Sequence, residues 1–521
     1  MKKTEKIISM LMAGVMCTAV IGGCGSKDEV ETGSSGSILD YKVSDKPLTL
    51  TYFQSKPTDY DEADNVFNRA FEHTNVKIEF DFAESVTDKD QALALAVSSK
   101  DMSDIIYQFS RDTFVKYGKQ KAFIPLNDLI DKCAPNFKKY LDEHEDVRKY
   151  ITASDGNIYY VPNVLDGKTA SGWFIRQDWL DKLGMEQPKT IAELEEVFKA
   201  FKEKDPNGNG KNDEVPYFGN GSSVTYTLNE IIGIFDASLG FRHNGQTVSF
   251  GPMEENFKTA MKTVADWYAK GYIDPEIFTR KSPREHFLSN NIGGCTHNWF
   301  GSTAGYNKMY ESTVPGIKFI AMAPPASADG VQRELTIRTK NLQEGWAISA
   351  SNKHPEETMK YFDFFWTEEG RRMANYGIEG KTYNMNGDKI EYTDYILNNP
   401  DHVPVDSLRT VGAQTNFGYE QDWNSEALYI NKIALDGINM YIDNGYLKGE
   451  DIMLTYSEEE EKQRTTLNAQ ITTCVEEAIQ KWVLNNEKVD DSYDKFINDL
   501  QNLDVQKLID IEQAAYDRYL Q

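Results

Sequence analysis

GWFIRQDWLDKLGMEQPKTIAELEEVFKAFKEKDPNGNGKNDEVP, residues Gly172 to Pro216, decides the fold. Its opening reads as a strand, with Trp173 and Arg176 at the edge of that strand. Thr190, with Glu193 three residues on, predicts a capped helix start. Leu194, Val197, Phe198 and Phe201 then recur at helical spacing and form one apolar face. The stretch closes on a loop with side-chain oxygens at alternate positions, Asp205, Asn207 and Asn209, followed by Gly210. An EF-hand loop opens in this way but needs a bidentate Glu at its twelfth position, where this chain has Pro216. Glu214 supplies a carboxylate two residues earlier, Asp213 stands beside it, and Lys211 offers a backbone carbonyl. That donor set could supply the six or seven oxygens Ca²⁺ takes, in a structural role. A solvated Asn-Gly turn is the alternative, since the same residues favour a plain reversal.

Strands and helices alternate ahead of this stretch. LTLTYFQ (Leu48–Gln54), VKIEFDFA and DIIYQF read as strands, separated by helices around Asp61–His73 and Lys89–Ser99. Such alternation predicts a mostly parallel α/β sheet. The later chain is more helical: Thr190–Glu203, Pro252–Gly271, His354–Glu368, and a tail from Glu458 to Leu520 that is expected to dock on the body. Roughly 475 residues follow the N-terminal region, enough for two or three domains.

The N-terminus reads MKKTEKIISMLMAGVMCTAVIGGC. Three Lys precede an uncharged apolar run, Ile7 to Ile21, shorter than the ~18 to 20 residues that span a bilayer. This predicts a secretory signal, and IGGC at residues 21–24 resembles the lipobox of bacterial lipoproteins. That resemblance implies cleavage after Gly23, lipid on Cys24, and a lipid-anchored position outside the cell membrane. The following GSKDEVETGSSGS has the composition of a flexible tether. Cys133, Cys295 and Cys474 remain, with no CxxC pair, which excludes a cysteine zinc site or a dense disulfide framework. The formal charge is -26; the leader carries three Lys and one Glu, so its removal leaves -28. Such a surface repels nucleic acid.

Three phrases in this order carry a family resemblance: the opening stretch, WYAKGYIDPEIFTR (Trp267–Arg280), and GWAISASNKHPEETMKYFDFFWTEEGRRMANYGIEGKTY (Gly345–Tyr383). Together they resemble extracellular solute-binding proteins of the family-1 type, which serve ABC importers. The resemblance implies an α/β, type II periplasmic-binding-protein-like fold of two lobes, with a hinge and an interlobe cleft. The expected division is 1–23 signal, 24–44 tether, 45–162 plus 322–367 lobe one, and 163–321 plus 368–521 lobe two. Relatives in the resembling subgroup, including binders of alginate oligosaccharides, carry calcium in the loop after the first helix of the opening stretch. The permease and ATPase are then separate chains, and the binding protein itself a monomer.

Sugar rings call for flat aromatic platforms beside hydrogen-bonding groups. Trp299, in CTHNWFGS, is the first candidate, at a position where related sugar binders often carry a stacking aromatic. Trp173 and Arg176 flank the strand already described. Tyr376, Glu379, Lys381 and Tyr383 lie in YGIEGKTY, and Phe417, Tyr419, Asp422 and Trp423 form a second aromatic–acid cluster. Gln54 and Gln108 end strands, where ligands of open α/β sheets sit. Trp179, Trp267 and Trp366 fall inside helical patterns and are expected in the core. The leading expectation is oligosaccharide capture; a peptide or other polar solute is the alternative. An anchored carbohydrate-active enzyme gains no support, since HExxH, GxSxG and a paired-acid motif are missing.

Overall fold

The computed structural model describes residues 41–55, 59–83, 89–107, 109–165, 169–219, 223–340, 342, 344–415 and 417–521. The signal, the tether as far as residue 40, Cys24 and Gln108 lie outside the described residues; Tyr41 and Val43, expected at the end of the tether, pack against the first core instead. Thirteen strands occur among them: β1 Leu48–Ser55, β2 Val76–Ala83, β3 Ile105–Tyr107, β4 Val161–Pro162, β5 Ser171–Arg176, β6 Val215–Tyr217 and β7 Phe241–Asn244. The rest are β8 Thr247–Phe250, β9 Gly293–Trp299, β10 Phe319–Met322, β11 Gly345–Ile348, β12 Tyr383–Asn386 and β13 Lys389–Tyr392.

Two sheets form separate lobes. The first has the order β2-β1-β3-β11-β4 and the second β10-β5-β9-β6. β1, β2 and β3 run parallel, as the helix–strand alternation predicts. β11 is antiparallel to both β3 and β4, and the second sheet pairs only β6 with β9 in parallel. The sheets are therefore mixed, because the chain enters β11 from the other lobe rather than through a local crossover helix.

Each lobe has its own core. In the first, fully buried Trp346 stacks on Phe417 with centroids 4.9 Å apart and on Phe362 at 4.6 Å. Its indole N–H donates to the Tyr52 hydroxyl at 2.8 Å, so the one polar edge of the ring is satisfied. The second core joins Trp173, Phe198, Phe201 and Trp267 to Ile471, Ile479 and Trp482 from the C-terminal helices. The tail thus docks as expected, in three helices, Glu458–Val483, Val489–Asn502 and Val505–Tyr519. Trp179, Trp267 and Trp366 are all buried.

The lobe boundaries need one correction. Met373, Ala374, Tyr376, Leu408, Phe417 and Tyr419 pack into the first core, although residues 368–521 were assigned whole to the second lobe. The helix Glu368–Tyr376 follows Pro355–Phe364 after only three residues, and both pack on the first core. The predicted helix start at Thr190 is present, its Oγ1 accepting from the Glu193 amide at 3.2 Å. Glu193 reaches back one residue further than in a capping box, to the Lys189 amide at 2.7 Å.

Three chain segments join the lobes side by side. Val164 N–H donates to Tyr419 O at 2.9 Å and Gln421 N–H to Val164 O at 2.7 Å. On the other side, Asn163 N–H donates to Glu344 O at 2.8 Å and Leu165 N–H to Lys340 O at 2.9 Å. These crossings form a narrow ribbon between the two sheets.

In the second lobe, His297 of β9 pairs with Glu334 at 2.8 Å, with side chains 1% and 5% exposed. Burial alone would lower the His297 pKa, but the Glu334 carboxylate, with Glu230, outweighs it and holds the value above 6.5. A raised folded-state pKa contributes stability that is complete below the unfolded value and fades as pH rises through the folded one. Urea unfolding between pH 5.5 and 9 is therefore expected to show a stability loss on the alkaline side that His297→Gln abolishes. An unchanged slope in that variant would remove the pair as its source.

Candidate binding cleft and calcium loop

Both leading aromatic candidates stand beside the crossings. Trp299 ends β9 and is 49% exposed, the most exposed Trp among the described residues. The next residue, Phe300, donates its amide to Ala170 O at 2.7 Å, immediately after the first crossing. Gly301, in the first helical turn beyond Trp299, faces Ile430 at the end of the helix Trp423–Tyr429. Trp423 opens that short helix and is half-buried. One helix of seven residues therefore separates the surroundings of the two tryptophans.

Asp422 and Tyr376, placed by the sequence in two separate clusters, come together. The Tyr376 hydroxyl donates to Asp422 Oδ2 at 2.7 Å, and Asp422 Oδ1 caps the helix through the Asn424 amide at 2.9 Å. Burial, then the Asp422 carboxylate, push the Tyr376 pKa upward, so the phenol remains a donor. Two ion pairs flank this platform: Arg371–Glu420 at 2.6 Å and Arg338–Glu426 at 2.6 Å. Gln54 is buried at the C-terminal end of β1.

Other candidates are elsewhere. Trp173 is 1% exposed and its ring faces Tyr217 and His297 inside the second core. Arg176, also 1% exposed, is spent on Asp178 and lies over the Trp179 ring at 4.4 Å. Tyr383, Phe417 and Tyr419 are at most 2% exposed and belong to the first core. Lys381 binds Asp61 at 2.8 Å and Asp64 at 3.2 Å; burial opposes its charge, and the two carboxylates outweigh burial and raise its pKa. Glu379 is exposed on the turn before β12. Apart from Glu379, the sequence placed these residues near exposed-looking Gly-rich or strand-end positions, and long-range packing took them inward.

Two cavities lie apart from this platform. One, of about 520 Å³, is lined by Arg242, His243, Arg333 and Glu450, already paired among themselves and with neighbouring acids. The other, of about 730 Å³, is lined by Lys119, Lys121, Tyr159 and Glu458. Neither includes a residue predicted to contact ligand.

The loop after the helix Ile191–Glu203 folds around its own oxygens. Asp205 accepts from the amides of Asn209 (3.0 Å) and Gly210 (2.9 Å), and Asn207 Oδ1 from the Asn209 amide at 2.9 Å. Asn209 Oδ1 accepts from the Lys211 amide at 2.7 Å, while the amides of Asn207 and Asn209 reach Asp213. Gly208 and Gly210 supply the left-handed turns, at φ 74° and 76°. Among the described residues no group of three His, Cys, Asp or Glu converges as a ready metal cage. Glu214 is the exception to this self-satisfied turn. It is fully buried, and the backbone amides of Glu214 and Asn207 that face its carboxylate do not reach good hydrogen-bond geometry with either oxygen. Burial raises its pKa, and Asp205 and Asp213 raise it further against the opposing backbone amides of Glu214 and Asn207. A buried carboxylate beside two others fits an oxygen-binding cation far better than an empty interior.

Two lobes, mixed sheets, a ribbon of crossings and an aromatic platform beside it define a hinged binding protein rather than a barrel or a single sheet. Residues 54–372 match the bacterial extracellular solute-binding proteins, and the chain belongs to that family. It is 28% identical to the fructooligosaccharide ABC transporter substrate-binding protein FusA of Streptococcus pneumoniae, over 96% of each chain. The crystal structure of the alginate-binding protein AlgQ2 without calcium ion superimposes with a TM-score of 0.75. That match has 35% identity and covers 92% of this chain and 99% of the other. The lipoprotein LipO of Bacillus subtilis is 23% identical over 72% of this chain and 73% of its own. FusA is a substrate-binding protein and AlgQ2 an alginate-binding protein.

In metal-free buffer, Glu214→Gln is expected to melt no lower than the unaltered chain at neutral pH, because it removes an uncompensated buried carboxylate worth about 1 to 3 kcal/mol. The raised pKa sets the sign: the penalty grows as pH rises above about 4.3, the ordinary value for Glu. Thermal unfolding at pH 5 and 7.5 checks this, and a variant less stable at both would show that the carboxylate is satisfied.

Proposed function

We propose that this protein is the capture subunit of an ABC importer, held outside the membrane by lipid on Cys24, and that it takes an oligosaccharide between its lobes. The observation that carries the reading is the exposed Trp299 indole near one end of the helix Trp423–Tyr429 and the Asp422–Trp423 platform at its other end, both near the crossings of a solute-binding fold. An indole offers a flat face to sugar C–H groups, while Asp422, Tyr376 and Gln54 supply acceptors and donors for hydroxyls. The oligosaccharide-binding relatives support that ligand class. The role is capture without turnover.

No helix among the described residues is long and apolar enough to cross a membrane, and no GxxxxGK[ST] loop occurs in the sequence. Permease and ATPase are accordingly separate chains. The apolar run before Ile21-Gly22-Gly23-Cys24 supports the anchor, as does similarity to a lipoprotein. In the loop, Glu214 with Asp205, Asn207, Asn209, Asp213 and the Lys211 carbonyl would hold Ca²⁺. The ion would neutralise the buried acid and pin the loop between Lys182, which donates to Pro206 O at 2.7 Å, and Lys202, which donates to Glu214 O at 3.0 Å.

The direct test is thermal unfolding of the mature chain lacking Cys24, with Ca²⁺, across fructo-, alginate and pectic oligosaccharides and a peptide panel. Ligand at a hundred times its dissociation constant adds roughly 2.7 kcal/mol. A shift with one glycan class, recovered intact, is expected; a shift with peptides alone would overturn the sugar assignment. Trp299→Ala should weaken that glycan by about tenfold, ~1.4 kcal/mol, with the unliganded melting point unchanged. Equal affinity in calorimetry would take Trp299 out of the site.

A further inference from the structure

We infer that Asn375 is the positioning residue of the binding site, acting through Asp422 and Trp423; this rests on the proposed function, which makes those two residues ligand contacts. Asn375 closes the helix Glu368–Tyr376 and is 1% exposed. Its Oδ1 accepts from the Asp422 amide at 2.7 Å, and its Nδ2 donates to Glu420 O at 3.0 Å and to Arg371 O at 2.9 Å. One side-chain amide thus engages the carbonyl of residue 420 and the N–H of residue 422. A neighbouring strand makes the same pair of bonds to alternate residues in a ladder. No strand among the described residues lies there, and the side chain takes its place.

The backbone of Asn375 completes the clamp. Its carbonyl accepts from Ser425 Oγ at 2.9 Å and from Gln414 Nε2 at 3.1 Å. Gln414 also donates to Ser425 Oγ at 2.9 Å and accepts from Gln421 Nε2 at 2.7 Å, and Arg338 donates to Gln421 Oε1 at 2.8 Å. Residues 420, 421, 422 and 425 are therefore each tied to this centre, and residue 423 lies inside the tied segment. Only an amide of this length supplies both an acceptor for 422 and donors for 420. Asp keeps the acceptor and loses the donors; Leu fills similar space and loses both.

Hydrogen exchange, calorimetry and a double-mutant cycle test this on the full mature chain. In the unaltered protein the Asp422 amide should be protected, and Asn375→Leu should speed its exchange at least tenfold. The same variant should weaken a fructo-oligosaccharide or an oligoalginate, whichever binds, by about tenfold, ~1.4 kcal/mol, and Asn375→Asp should lose less. Adding Asn375→Leu to Trp423→Ala should cost little further affinity, the mark of residues acting as one unit. Tyr41→Phe, which removes a buried bond to Asp363 at 2.5 Å elsewhere in the first lobe, controls for general destabilisation. An unprotected Asp422 amide in the unaltered protein would overturn the proposal, as would losses that simply add or that Tyr41→Phe reproduces. If neither glycan binds the unaltered chain, the oligosaccharide reading fails, while the exchange data still decide whether Asn375 holds the segment.

Discussion

The ribbon of hydrogen bonds among Asn163–Leu165, Lys340–Glu344 and Tyr419–Gln421 governs the rest of the molecule. Each lobe carries its own sheet and its own buried aromatic cluster. The ribbon is the backbone connection between them, and Tyr429 and Met453 add contacts to the first core beside it. Three adjacent passes resist sliding because any shear would break several backbone bonds at once, whereas bending changes each only slightly. A hinge of this kind permits closure about one axis. Trp299 and Trp423 both sit next to it, so a small change of angle alters the space beside them directly.

Much of the fold was legible because it rests on local pattern. The helix from Ile191, the parallel β1–β2–β3 unit and the docked tail all follow from periodicity and capping. The mixed order of the sheets was not legible, since β11 comes from a distant return of the chain. The same cause misassigned residues 368–419: nothing in RRMANYGIEGKTY distinguishes a helix that stays with the preceding lobe from one that leaves it.

The candidate site was legible in part, and burial explains the division. Trp299, Tyr376, Asp422 and Trp423 were recognised as aromatics beside polar groups, and the last three are together in the structure. Trp173, Arg176, Tyr383 and Lys381 carry the same local signature yet are consumed by packing or ion pairs. Asn375 and Gln414 escaped notice because an amide in a helix end or a turn looks like any solvated residue. Their role exists only once distant backbone groups arrive. In the loop, the alternating oxygens were visible, but the orphaned burial of Glu214 was not.

The place of β11 bears on how such a chain is made. It lies between β3 and β4, so the first sheet lacks an interior strand until residue 348 has emerged, although its other members are finished by residue 162. The second sheet is complete by residue 322, yet its core awaits Trp482, Leu500 and Leu508 from the last helices. Neither lobe can lock early, because contacts this remote in sequence must wait for the chain. A polypeptide led out N-terminus first therefore stays pliable through most of its passage. Its architecture delays the locking of either lobe until most of the chain is present.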